Sequence, residues 1–352
     1  MPPRCVLRLV LRLTGLLAMS AVSAWGNDAE QAPELSAVRA AIARSIPLLE
    51  AGAKGSLAQR KNCFTCHNQG LPIMALTAAR KRGFAVDVEH LRVQVQFTAD
   101  FLARNRDNYR KGQGQGGQVD TAGYALWTLD EAGWRPDDTT AAVAEYFLLR
   151  QSDQDYYEPT ARRPPSEQSA FTSTYVALRG LTAYGTAEQR ERISQRKERV
   201  GKWLLHTPAN DTEDRVFRLR ALRLIAAPDD VLRRVQDELL QTQRPDGGWA
   251  QLPEMESDAY ATSTVLLALA QAGDLTVEAP PFRRGVRYLL ETQGDDGSWH
   301  VATRSKPFQT YFESGFPHGK DQFISIAASA WATWALCLML PEQPPIEPPE
   351  TP

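Results

Sequence analysis

The chain has 352 residues, 43% of them hydrophobic and 23% charged, with 40 Lys and Arg against 42 Asp and Glu. That length is enough for a large core in one or two domains, and a formal charge of −2 without a clustered basic face excludes a nucleic-acid footprint. Of the four cysteines, Cys5 and Cys337 are isolated, so a disulfide-stapled scaffold is excluded as well.

Residues 1–24 read as a secretory signal peptide. Arg4 and Arg8 open it, Leu9 to Val22 is mostly apolar, and Val22-Ser23-Ala24 and Ala24-Trp25-Gly26 are small-residue cleavage ends. The apolar run is too short, and too interrupted by Arg12 and Thr14, to span a bilayer. The expectation is a periplasmic or secreted protein with no stable membrane span after cleavage and a formal charge of about −5. A polar stretch follows. Val38, Ile42, Ile46 and Leu49 then recur at helical spacing.

The next stretch, Asn62-Cys63-Phe64-Thr65-Cys66-His67, has the form Cys-x-x-Cys-His. It resembles the attachment motif of c-type cytochromes. That resemblance implies one covalent haem c, with the Cys63 and Cys66 thiols added to its vinyl groups and His67 as the proximal iron ligand. A zinc site needs a second ligand pair, which the sequence lacks; a dithiol redox pair is the rival reading. Leu71 to Gly83 then reads as a helix stopped by Gly83. The glycine-rich Gly112 to Gly117 follows no strand and lacks the Lys-Ser/Thr of a phosphate loop, so it reads as a flexible loop.

From there a pattern repeats. A charged amphipathic helix leads into a helix of Ala, Leu, Thr and Ser, beginning near Thr121, Thr172, Tyr260 and Ile324, with a weaker copy over Asp214 to Ala227. The charges of Arg190 to Lys202 form a solvated outer face. Helix pairs repeating every 40–60 residues imply a solenoid or a closed ring. Two connections, Gln243-Arg-Pro-Asp-Gly-Gly-Trp249 and Gln293-Gly-Asp-Asp-Gly-Ser-Trp299, share the form Gln-x-x-Asp-Gly-x-Trp. In each, the Asp-Gly pair makes a tight turn. A degenerate copy begins at Gln151 and carries Tyr157 in place of Trp.

These turns resemble the QW repeats of squalene-hopene cyclases and the wider prenyltransferase/squalene-oxidase repeat family, over roughly residues 90–340. The resemblance implies an all-α fold: a single-domain α/α toroid of about six helical hairpins, spanning 25–341 with the haem motif at 63–67 inside it. The Pro-rich residues 342–352 read as a disordered tail.

Class II cyclases of that family protonate an alkene with an Asp-x-Asp-Asp motif. Anchored on Leu267-Ala268-Leu269, the motif would occupy Asp258 to Ala261, where only Asp258 is acidic and Tyr260 holds the donor position. A phenol with an ordinary pKa near 10 is far too weak for that task. Cyclase activity is therefore not expected, and a non-enzymatic haem protein working by one-electron transfer, or by another haem-based redox activity, with an unidentified redox partner, is. The alternative is a non-redox enzyme, or a protein that binds a small apolar ligand in the ring cavity. The long insertion from Lys306 to Phe323 collects the remaining candidates: Tyr311, Glu313, Asp321 and Gln322 around a pocket, and His318 as second iron ligand, with Asp258 and Tyr260 on the adjoining helix.

Overall fold

The computed structural model describes residues 33–306 and 310–343. The expected leader at 1–24 and most of the expected tail at 342–352 lie outside the described residues. The described chain is helical throughout, in the order α1 (Leu35–Gln59), α2 (Leu71–Arg80), α3 (Val88–Ala103), α4 (Arg106–Tyr109), α5 (Gln118–Glu131), α6 (Asp138–Leu149), α7 (Ala170–Tyr184), α8 (Arg190–His206), α9 (Thr212–Leu224), α10 (Asp229–Leu240), α11 (Ala259–Gln271), α12 (Pro280–Thr292) and α13 (Gln322–Cys337). Among the described residues, no helix is long and apolar enough to cross a membrane.

Two helix chemistries sort these elements into two rings. Helices α11 and α13 are apolar and small-residue-rich on nearly every face, which a helix can sustain only when surrounded. Helices α10 and α12 bury one stripe each: Val231, Leu232, Val235 and Leu239 in the first, Phe282, Val286 and Leu289 in the second. The inner helices α2, α5, α7, α9, α11 and α13 pack each against the next, and α13 packs back onto α2. Helices α1, α3, α6, α8, α10 and α12 lie outside them, and α1 meets α12 to close the outer ring. The result is an α/α toroid of six hairpins, as the repeat pattern implied. Close approach inside the ring needs small residues: a Cβ at Gly123 of α5 would stand 2.5 Å from the Val176 side chain of α7.

The Gln-x-x-Asp-Gly-x-Trp turns lock successive hairpins together. Trp249 Nε1 donates to the Leu239 carbonyl at 2.9 Å, and Trp299 Nε1 to that of Leu289 at 2.8 Å. Gln243 Nε2 bridges its own turn (Gly247 O, 2.8 Å) and the next outer helix (Pro281 O, 2.8 Å). Gln293 Nε2 does the same with Gly297 O and with Ala41 O of α1, both at 2.9 Å. This second turn therefore joins the last repeat to the first. Gly297 has φ +89°, and a Cβ there would stand 2.6 Å from the Arg44 carbonyl, so the turn admits only glycine.

Toward the C-terminal ends of the inner helices the middle of the ring is filled. Trp127 lies 5.6 Å from Trp331 and 6.0 Å from Trp334 between ring centroids, with the Arg179 and Arg220 guanidinium groups over its ring. The free space is at the opposite end.

Candidate active site

At the N-terminal ends of the inner helices the ring encloses a cavity of about 480 Å³, within the range typical of small-molecule sites. Its wall is Leu71 of α2, Tyr124 of α5, Tyr260 of α11, and Phe323, Ile324 and Ala327 of α13. Two connections form its mouth: residues 163–167 from the α6–α7 loop, and parts of the α12–α13 insertion carrying Thr303, Ser305, Lys306, Thr310, Tyr311 and Lys320.

Cys66 and His67 also line it. They open a π-helical turn, Cys66–Gly70, that runs straight into α2. Irregular turns of this kind are frequent at functional sites. The Cys66 thiol is pushed well above its ordinary range, chiefly by burial. His67 is lowered to about 3, by burial first and then by Arg163 and Arg60, so its ring is neutral at physiological pH. It packs edge-on against Phe323 with ring centroids 5.5 Å apart. Cys63 is not among the lining residues; its Sγ donates to the Phe64 carbonyl at 3.6 Å.

The other expected residues divide. His318 stands apart from the cavity wall: it hydrogen-bonds the Ser298 hydroxyl at 2.6 Å and stacks on His300 at 4.6 Å. Asp321 accepts from the Thr303 backbone N–H at 3.0 Å and pairs with His300, tying the insertion down. Tyr311 is at the mouth, half exposed, and donates to Glu313. Gln322 is fully buried; its Nε2 donates to Tyr311 and Glu313, and its Oε1 accepts from the Ser314 backbone. Asp258 is the N-cap of α11, accepting from Ala261 N at 2.9 Å and from Gln251 at 3.0 Å. Of the would-be acid motif, Tyr260 alone faces the cavity.

Behind Tyr260 lies the group that sequence reasoning missed. The Tyr260 hydroxyl meets Ser166 of the mouth and Glu213 of α9, the latter through Oε1 at 3.5 Å. Glu213 is buried, and desolvation raises its carboxyl to about 8. Thr172 Oγ1 donates to its Oε1 at 2.9 Å, whereas its Oε2 has no partner. Two further carboxyls share this environment. Asp120 is raised to about 7 by burial, and Glu167, beside Arg163 at the mouth, is also raised by burial. The available signal was positional: Asp120, Glu213 and Asp258 all fall in or just before the first turn of an inner helix.

Comparison with known proteins fits this geometry. Residues 187–336 match the model of the squalene-hopene cyclase C-terminal domain. The fold is a squalene-cyclase-like toroid. Drimenyl diphosphate synthase of Streptomyces showdoensis is 30% identical over 233 residues, covering 60% of this chain and 41% of the relative. Squalene–hopene cyclase of Bradyrhizobium diazoefficiens is 27% identical over 225 residues, 57% of this chain and 32% of the relative. This toroid thus spans less than half the length of the curated relatives it matches. The type II terpene cyclase MstE from Scytonema superposes with a TM-score of 0.55 at 15% identity, covering 87% of this chain and 98% of that one, which supports the fold.

These relatives overturn the haem reading. The proteins that the chain resembles are named as cyclases and synthases, so the expected covalent haem c, the electron-transfer role and the leaning against an enzyme are corrected. Among the described residues, no three His, Cys, Asp or Glu side chains are grouped so as to hold a metal ion. Cys-x-x-Cys-His spacing is satisfied locally, but here the segment serves as the entry to an inner helix and presents Cys66 and His67 to an apolar cavity shared with Tyr124, Tyr260 and Tyr311.

Proposed function

We propose that this toroid is a terpene-cyclase-like enzyme that transfers a proton to an apolar isoprenoid held in the cavity, starting its cyclisation or isomerisation. The observation that carries this is Glu213, a buried carboxyl kept protonated at neutral pH and in contact with the cavity-facing Tyr260. Tyr260 alone is too weak an acid. Backed by Glu213 it becomes a relay: the Tyr260 hydroxyl, which donates to Glu213 Oε1 at 3.5 Å, gives its proton to a substrate carbon, and the carboxyl, turned to present its protonated oxygen, reprotonates the phenolate, so the negative charge comes to rest on the carboxylate. There the Thr172 hydroxyl already donates, a preorganised stabiliser of the charge that develops. The acid that the family motif places on α11 is thus supplied from the neighbouring helix α9. The apolar wall and the named relatives support the choice of isoprenoid.

The test is incubation with squalene, oxidosqualene and C15 and C20 isoprenyl diphosphates, with products read by gas chromatography and mass spectrometry. A cyclised or isomerised product is expected with at least one substrate. Glu213→Gln should lower its rate at least about 10²-fold, the usual weight of a positioned acid. Unimpaired turnover by Glu213→Gln, or no product from any substrate, sinks the proposal.

A further inference from the structure

The cavity ends in a floor of indoles. Tyr124 of α5 and Ala327 of α13 line its wall. One turn further along those helices, on the same faces, stand Trp127 and Trp331, each 1% exposed. Tyr124 stacks on Trp127 with ring centroids 5.9 Å apart, and Trp127 meets Trp331 at 5.6 Å. Trp334 stacks on Trp331 at 5.6 Å, and Tyr175 of α7 closes on Trp127 edge-on at 5.2 Å. These rings fill the bore of the toroid beneath the ligand space. Hydrogen bonding does not account for an indole at 331. Trp127, Trp249 and Trp299, the other fully buried indoles, donate to Glu131, Leu239 O and Leu289 O, whereas Trp331 Nε1 has no partner among the described residues. A phenyl ring would avoid that buried orphan donor, so what the position keeps is the volume of the indole.

We infer that Trp127 and Trp331 are the specificity-determining floor of the site, fixing how long a chain it can bury. A small heavy-atom group with its hydrogens takes about 30 Å³ in a liquid, as water does, so a cavity of about 480 Å³ holds about 16 of them. A chain longer than that leaves its remainder outside the mouth, where it gains nothing from burial. This rests on the terpene-cyclase-like reading above for the choice of an isoprenoid. It adds an upper limit on chain length and the residues that set it, whatever head group the chain carries.

Equilibrium dialysis of the whole protein with labelled, uncharged C10, C15 and C20 isoprenyl alcohols tests this without relying on turnover. The C15 alcohol should bind at least about tenfold more tightly than the C10 alcohol, because one more isoprene unit is buried, and the C20 alcohol at most about threefold more tightly than the C15. Trp331→Ala lowers the floor and should move the gain up one step, so that C20 exceeds C15 at least about tenfold. Ala327→Leu fills the wall and should move it down, erasing the advantage of C15 over C10. Urea unfolding checks that each variant is folded, and Trp331→Leu, a smaller step in volume, stands in for Trp331→Ala if that variant is not. A wild type that gains about tenfold or more from C15 to C20, or a length profile that the folded variants leave unchanged, overturns the assignment of the floor yet leaves the cavity and its acid standing. Failure of all three alcohols to bind overturns the terpene-cyclase-like reading itself.

Discussion

The turns on the outside of the ring and the wall of its cavity follow opposite rules. In the turns at 243–249 and 293–299 the polar side chains are matched: each Gln amide bridges two carbonyls, each indole N–H meets a helix carbonyl, and the Trp249 and Trp299 backbone N–H groups meet Thr262 and Ser329 hydroxyls. Around the cavity, Glu213 Oε2 is buried behind Tyr260 with no partner, and the carboxyls of Glu213, Asp120 and Glu167 are raised by burial. An unsatisfied buried polar atom costs on the order of 1–3 kcal/mol. The two full turns leave none of their Gln amide or indole N–H groups unpartnered, whereas the carboxyl behind Tyr260 keeps one oxygen free. The degenerate turn refines the point. Tyr157 Oη donates to the Phe147 carbonyl at 2.5 Å and Tyr157 N donates to Thr174, the same two positions that the tryptophans use. Gln151, however, does not bridge. Arg196 of α8, 1% exposed, holds the Arg150, Gln151 and Gln154 carbonyls instead.

The sharpest way to break the scaffold half of this comparison is Trp249→Ala. It removes a fully buried indole and its hydrogen bond, and should cost about 3–5 kcal/mol in urea unfolding. Tyr157→Phe keeps the ring but loses a hydroxyl that donates to Phe147 O and accepts from the buried Arg196 Nε at 3.1 Å, so about 1–3 kcal/mol is expected. A Trp249→Ala loss no larger than that of Tyr157→Phe would mean the turns do not carry the ring.

This difference also explains what could be read in advance. Gln243, Gly247 and Trp249 act over a few residues, and their fixed offsets make the toroid visible in one dimension. Glu213 acts on Tyr260 across 47 positions. In sequence it is one acid among Asp211-Thr-Glu-Asp214, the composition of an ordinary helix start, where acids favour the dipole and cap the first turn. Only ring closure turns it inward. Cys66 and His67 show the converse: a local spacing was legible, but its chemistry depends on surroundings that no spacing encodes.

The second prediction sharpens the wall half. Glu213 and Asp120 have folded values near 8 and 7, above their unfolded values near 4. A group raised on folding contributes stability that is fully present below the unfolded value and lost as pH rises through the folded one. Urea midpoints should therefore fall from about pH 4 to about pH 8, and Glu213→Gln should flatten the upper part of that slope. Catalysis should follow the same group, with turnover falling above about pH 8 as the acid loses its proton. A stability profile that rises over this interval in the wild type and is unaltered by Glu213→Gln would show the carboxyl to be ionised and the wall no different from the turns.

The smallest effect separates the turns from one another. Gln293 joins the last hairpin to the first through Ala41, and its Oε1 also accepts from Arg44, so Gln293→Ala should cost about 1–2 kcal/mol and leave Gly297 O and Ala41 O seeking water. Gln151 receives only the Glu158 backbone N–H at an exposed site, so Gln151→Ala should fall within about 0.5 kcal/mol of wild type. The paired measurement isolates ring closure from local turn formation, because both variants delete the same amide at the same register. Equal losses would place the stabilisation within each turn. A Gln293→Ala loss at least twice that of Gln151→Ala would place it in the bond between α1 and the last repeat, where the two ends of the ring meet.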